Sequence, residues 1–122
     1  MTLFTFPKCP ACKKAKKWLK DNGFSYHEEN LSLLEFSEVD IEQWVDLSGK
    51  NADYFTNTKS NLFLAAGLHI DFPKMTEEEK IHILSLDTRL LKRPIVVQDL
   101  TVLAGFSSRI WEKALVHNGE ES

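Results

Sequence analysis

Cysteine is almost missing from this chain: Cys9 and Cys12 are the only two in 122 residues. A chain of this length can bury a real core without covalent staples, so no disulfide framework is needed to explain folding. Long apolar runs are missing as well. Nothing approaches the roughly 20 residues that a membrane-spanning helix requires. Charge of one sign is lacking: 15 basic residues stand against 18 acidic ones, a net charge of −3, which offers no broad footprint for nucleic acid. Repeats, linkers and low-complexity segments are absent too. The opening Met1-Thr2-Leu3-Phe4 lacks a basic stretch followed by a long apolar one, so no secretory signal is read there. A cytoplasmic location is expected, where thiols rest reduced, and this disfavours a buried structural bridge between the two cysteines.

What is present reads as three blocks. "TLFTF" (2–6) is β-prone and stops at Pro7. From Pro10 the pattern turns helical, with Ala11, Ala15, Trp18 and Leu19 on one stripe and Lys13, Lys14, Lys16, Lys17 and Lys20 around it. Asn22-Gly23 supplies the stop. "FSYHEE" (24–29) alternates as a strand, which completes a short βαβ unit. The middle block carries three helical segments and no strand. They are 37–49, 57–67 and 76–87, the last opening on a Thr76/Glu79 capping box. The final block is ββα: "RPIVVQ" (93–98), "TVLAGF" (101–106) and a serine-capped helix over 107–117. Asp99-Leu100 is the natural hairpin join, although the pair is not a favoured two-residue turn. The tail after it is polar and expected to fray.

The chemistry concentrates in "FPKCPACKKAKKWL" (6–19). Two cysteines three positions apart lie one helical turn apart, which brings the second sulfur within disulfide reach of the first. A helix amino terminus carries partial positive charge and free N–H groups, and both favour thiolate over thiol. Cys9 stands at or just before the first turn, with Pro10 at an early position that tolerates it. Lys8 and the lysines from 13 onward add positive potential. Cys9 is therefore read as the nucleophile and Cys12 as the resolving thiol. Two other readings stay open. A zinc site would need two more ligands, and His27, His69, His82 and His117 are isolated, so no metal site is expected. Two ordinary core cysteines are the other. The lysine run is read as a solvated helix face rather than a nucleic-acid surface. In "LLKRPIVV" (90–97), Pro94 either opens an edge strand or follows a cis peptide bond, and the residues alone do not choose.

In combination, "CxxCKKAKKWL", "FTNTKS…GL" and "KRPIVV…GF" resemble the ArsC/Spx group of thioredoxin-fold proteins across nearly the whole chain. The resemblance implies an α/β, thioredoxin-like fold: a four-stranded mixed sheet with a three-helix insertion between βαβ and ββα halves. Residues 1–122 then form one domain, with a core of 1–34 and 88–117 and a helical insert of 35–87. It also implies a cis Pro94 facing the Cys9 loop, with Arg93 beside it, so Arg93, Pro94 and Lys8 are the expected substrate- or partner-binding residues. Two functions follow from it. One is an arsenate reductase-like thiol–disulfide oxidoreductase with no bound cofactor, served by glutathione or another thiol reductant through a glutaredoxin or thioredoxin system. The other is an Spx-like redox regulator that binds the C-terminal domain of the RNA polymerase α subunit. One arginine of the reductases matches Arg93, but another falls at Leu64. A single guanidinium holds a tetrahedral oxyanion poorly, which argues against arsenate as the substrate. The regulator reading lacks its glycine, whose place falls near Asn51, and it lacks the basic tail. The enzyme-like reading is therefore favoured.

Overall fold

The alternation of Thr2–Thr5 buries Leu3 and Thr5 and leaves Thr2 and Phe4 partly covered, and this strand, β1, is central to the sheet. The computed structural model describes residues 1–116. β1 pairs in parallel with β2 (His27–Asn30) and antiparallel with β3 (Ile95–Gln98), which pairs antiparallel with β4 (Thr101–Ala104). The order β2-β1-β3-β4 gives a four-stranded mixed sheet. Helix α1 (Pro10–Asp21) makes the crossover between the two parallel strands.

The chain divides into two units. Among the described residues, one holds Met1–Asn30 and 93–116, and the other holds Leu31–Lys92. In the first, Leu3, Ala15, Leu19, Val96 and Trp111 form the core, flanked by Trp18, Phe24 and Phe106. Trp111 belongs to α6 (Ser108–Trp111), which runs into a wider π-helical turn over Glu112–Val116. Its indole N–H donates to the Gly105 carbonyl at 3.0 Å, so a polar atom in the core is satisfied.

The second unit is helical: α2 (Glu38–Ser48), α3 (Asn61–Ala65), α4 (Leu68–Asp71) and α5 (Glu77–Leu86), joined by 3-10 turns. α2 and α5 pack together, burying Ile41, Val45, Ile81 and Leu84. The Glu77 carboxylate accepts the Ala52 N–H at 2.9 Å. His82 of α5 meets Glu38 of α2.

Several boundaries differ from the sequence reading. The 24–29 strand is β2 at His27–Asn30, because the Phe24 N–H is still bonded to the Leu19 carbonyl, closing α1, and pairing to β1 begins at His27. The 57–67 helix shrinks to α3. A bridge from Thr56 to Leu91 and the Asn57 N–H bond to Leu90 keep its start extended, and Gly67 at φ 72° ends it. The middle block therefore holds four α-helices rather than three. β3 begins at Ile95 because Pro94 has no N–H for the ladder. The terminal helix is α-helical only to Trp111, and His117 lies outside the described residues. The Asp99-Leu100 join is a two-residue turn, and Asp99 carries it at φ 53°, a left-handed conformation that aspartate tolerates.

Candidate active site

The chain leaves β1 at Phe6, passes exposed Pro7 and Lys8, and enters α1 at Pro10. Lys8 takes a left-handed backbone, φ 56°, which costs a non-glycine residue roughly 1–2 kcal/mol. That turn delivers Cys9 to the N-cap of α1 in an extended conformation, with φ −108° and ψ 105°. Caps are usually oxygens. Here the Cys9 sulfur accepts the Cys12 backbone N–H at 3.2 Å, and the Cys9 carbonyl accepts from Lys13 at 3.2 Å. The helix therefore begins on a sulfur, with no acidic residue in its first turn to offset the dipole.

Cys9 and Cys12 are joined as a disulfide, with Cα atoms 5.2 Å apart. The two sulfurs are not equivalent. Cys9 is partly exposed, whereas Cys12 is 2 % exposed. An attacker from solution reaches Cys9 first.

A cavity of about 210 Å³ opens beside the pair, and Phe6, Lys8, Lys13, Lys16, Glu28 and Asn30 line it together with both cysteines. Within it the Glu28 carboxylate accepts from the Thr5 hydroxyl at 2.6 Å and meets the Lys16 ammonium at 3.0 Å. The Thr5 hydrogen bond, and after it Lys16, hold the Glu28 carboxyl below the usual glutamate range. Arg93 approaches through a ring, its guanidinium carbon lying 4.1 Å from the centroid of Phe6. Partial burial lowers its affinity for the proton, yet a guanidinium stays charged in any protein. The Arg93–Pro94 peptide bond is cis, and the carbonyl of fully buried Pro94 accepts the Gly105 N–H at 2.8 Å.

The structure thus brings Cys9, Cys12 and Lys8 to one cavity and sets Arg93 against its Phe6 wall, while Pro94 is not among the lining residues. His27 pairs with Glu29 at 2.7 Å and His82 with Glu38. No cluster of three or more His, Cys, Asp or Glu side chains with metal-binding proximity occurs among the described residues, and no helix among them is long and apolar enough to cross a membrane.

Sequence reasoning counted Lys16 only as one of the lysines that add positive potential, and it missed Thr5, Glu28 and Asn30. For Lys16 the signal was in the sequence, whereas the other three depend on strand pairing. Lys16 follows Cys12 by four residues, the spacing that stacks side chains on one helix face. The parallel register sets Glu28 opposite Leu3 and Asn30 opposite Thr5, so all four share one face of the sheet.

Comparison with known proteins bears on the fold and the family. The sequence pattern of the ArsC family matches residues 4–114. A Bacteroides fragilis protein described as ArsC family related superposes with a TM-score of 0.87 at 36% identity, over 92% of this chain and 94% of that one. A Streptococcus mutans UA159 protein, described as a possible arsenate reductase, superposes with a TM-score of 0.76 at 27% identity, over 86% of this chain and 89% of that one. The global transcriptional regulator Spx of Streptococcus pneumoniae is 28% identical over 88% of this chain and 79% of its own length.

Proposed function

The chain belongs to the ArsC family, with a thioredoxin-like fold, and from that premise we propose that it is a thiol–disulfide oxidoreductase with Cys9 as nucleophile and Cys12 as resolving thiol. The observation that carries this reading is the asymmetry of the pair. Cys9 caps a helix with no acid in its first turn, and it is partly exposed; Cys12 sits one turn on and is buried. A thiolate is stabilised at the first position, and a second thiol waits out of reach of competing substrates.

The Cys9 thiolate attacks one sulfur of a substrate disulfide, forming a Cys9–substrate bond and releasing the other half as a thiolate. The Cys12 thiolate then attacks the Cys9 sulfur, closing Cys9–Cys12 and expelling the second half. The substrate has gained two electrons and the protein has lost two. A dithiol or two monothiols, such as glutathione delivered through a glutaredoxin or thioredoxin system, reopen the disulfide. Lys8 and Arg93 supply positive charge near the reacting sulfurs or to an anionic substrate. Arsenate is not the favoured substrate, because Leu64 stands where a further arginine is wanted.

The test is disulfide exchange with a mixed-disulfide substrate and a dithiol reductant. Cys9→Ala should abolish turnover. Cys12→Ala should stop after the first attack and accumulate a protein–substrate adduct visible by mass. Turnover that survives Cys9→Ala would refute the assignment.

A second reading is favoured by the 28% identity to Spx across 88% of this chain. In it the protein is a redox-sensing transcriptional regulator, and Arg93 and the Cys9–Cys12 state govern binding to the C-terminal domain of the RNA polymerase α subunit. Titration of that domain with reduced and oxidised protein decides it. Saturable binding lost in Arg93→Ala supports the regulator, and no binding in either state removes it.

A further inference from the structure

The cavity beside Cys9 holds three lysines and one carboxylate, and the carboxylate is the element that no redox reading has used. Glu28 reaches it from β2, the parallel neighbour of β1. It is not a loose surface acid. The hydroxyl of Thr5, a residue only 4 % exposed, donates to its Oε2 at 2.6 Å, and the Lys16 ammonium meets the same oxygen at 3.0 Å. Thr5 thus fixes the acid from beneath, and the acid fixes Lys16, which stands one helical turn beyond Cys12. Lys8 and Lys13 line the same cavity, and among the described residues Glu28 is the one acid in its walls to oppose them.

We propose that Glu28, held by Thr5 and paired with Lys16, is a positioning residue that sets the charge felt by the Cys9–Cys12 pair, so that Glu28 and Lys16 tune its reactivity and redox poise in opposite directions. The proposal deepens the reading above, resting on it only in requiring that the pair cycle between dithiol and disulfide. Opening the disulfide takes two electrons from a dithiol reductant, which ends as its own disulfide. Cys12 keeps a proton. Cys9 is left as thiolate or thiol according to the potential around it, and in the first case the second proton goes to solvent. Positive charge from Lys8, Lys13, Lys16 and Arg93 favours the thiolate, and the negative charge of Glu28 opposes it. Charges lining a cavity of about 210 Å³ are not screened from one another as charges a Debye length (~8 Å) apart are. Glu28 also cancels much of Lys16, so its removal both deletes a repulsion and releases an attraction. Its side chain is 39% exposed, which keeps the effect moderate.

The experiment uses the full chain in reduced form. Iodoacetamide alkylation of Cys9, mapped by mass, is followed from pH 5 to 9 in wild type, Glu28→Gln and Lys16→Met. The same three proteins are equilibrated in dithiothreitol redox buffers. Glu28→Gln should move the alkylation profile to lower pH, with a rate about threefold faster at pH 6, and should make the disulfide easier to reduce. Lys16→Met should do the reverse by a similar factor, about threefold. A merely structural role cannot give opposite signs, since loss of packing would move both variants the same way. No shift, shifts of one sign, or the reversed signs overturn the proposal. Alkylation needs no substrate, so a failure of the oxidoreductase reading appears as missing turnover and leaves this measurement intact.

Discussion

The long helices of the two units begin differently, α2 and α5 in one and α1 in the other. In the helical unit, α2 starts on Ser37 and α5 on Thr76, and in each the hydroxyl accepts an N3 N–H while the N3 acid reaches back to the cap. Acids crowd both first turns: Glu38 and Asp40 in one, Glu77, Glu78 and Glu79 in the other. Each positive helix end is answered within its own sequence. In the sheet unit, α1 starts on a cysteine, has no acid in its first turn, and carries five lysines along its length. Its positive end is left unanswered by its own first turn. Helix ends in the first case serve stability. In the second, the favourable partner is withheld from the sequence, and the sulfur of Cys9 stands where it would be.

The largest difference between the two units should come from emptying a core. Trp111 is 1 % exposed and lies edge-on to Trp18 and Phe106, with centroids 6.0 and 5.0 Å away. Trp111→Ala should cost about 3–5 kcal/mol in urea unfolding, and the sheet unit should lose protection against amide exchange first. Smaller effects separate the helix ends. Thr76→Ala or Ser37→Ala should each cost about 1 kcal/mol, because the first-turn bond to the hydroxyl is lost, while the cap's backbone N–H keeps its bond to the N3 carboxylate. Gly49 closes α2 at φ 69° with open space where a side chain would project, so Gly49→Ala should cost about 1 kcal/mol through conformation alone. The contrast sharpens at α1. Under reducing conditions Cys9→Ser should stabilise the protein by about 0.5 kcal/mol, a better cap gained as the nucleophile is lost.

An effect of similar size lies in pH. Glu28 has a lowered pKa in the folded state, so its contribution is complete above the unfolded glutamate value, about 4.3, and disappears as pH falls through the folded one. With its exposure discounted, wild type should exceed Glu28→Gln by about 0.5 kcal/mol at pH 7. Thermal unfolding near pH 3 should show that gap closing.

Much of this was legible in the residues. The apolar stripe of α1 gave Ala15 and Leu19 their burial, and the Thr76/Glu79 spacing announced its capping box. What failed to show was whatever depends on distant partners. Phe24 and Tyr26 alternate like strand residues but pack on the sheet unit's core before pairing begins. Asn57 faces Leu90, far along the chain, through a backbone bond that no local propensity encodes. The site divided in the same way. Cys9, Cys12 and Lys8 follow one another in sequence, whereas Thr5 and Glu28 meet only because β1 and β2 run parallel.

The aromatic packing of the sheet unit has an optical consequence. Of the chain's three tryptophans, Trp18 and Trp111 stand edge-on in one unit, and Trp44 lies in the other between Phe36 and Phe55. Trp18 is also part of α1, the helix whose first turn bears the disulfide. Replacing Trp44 by phenylalanine leaves emission that comes from the cysteine-bearing unit alone. Replacing Trp18 and Trp111 leaves emission from the helical unit. The molecule therefore carries its own pair of separable reporters, by which the melting of each half can be watched in turn without any added dye.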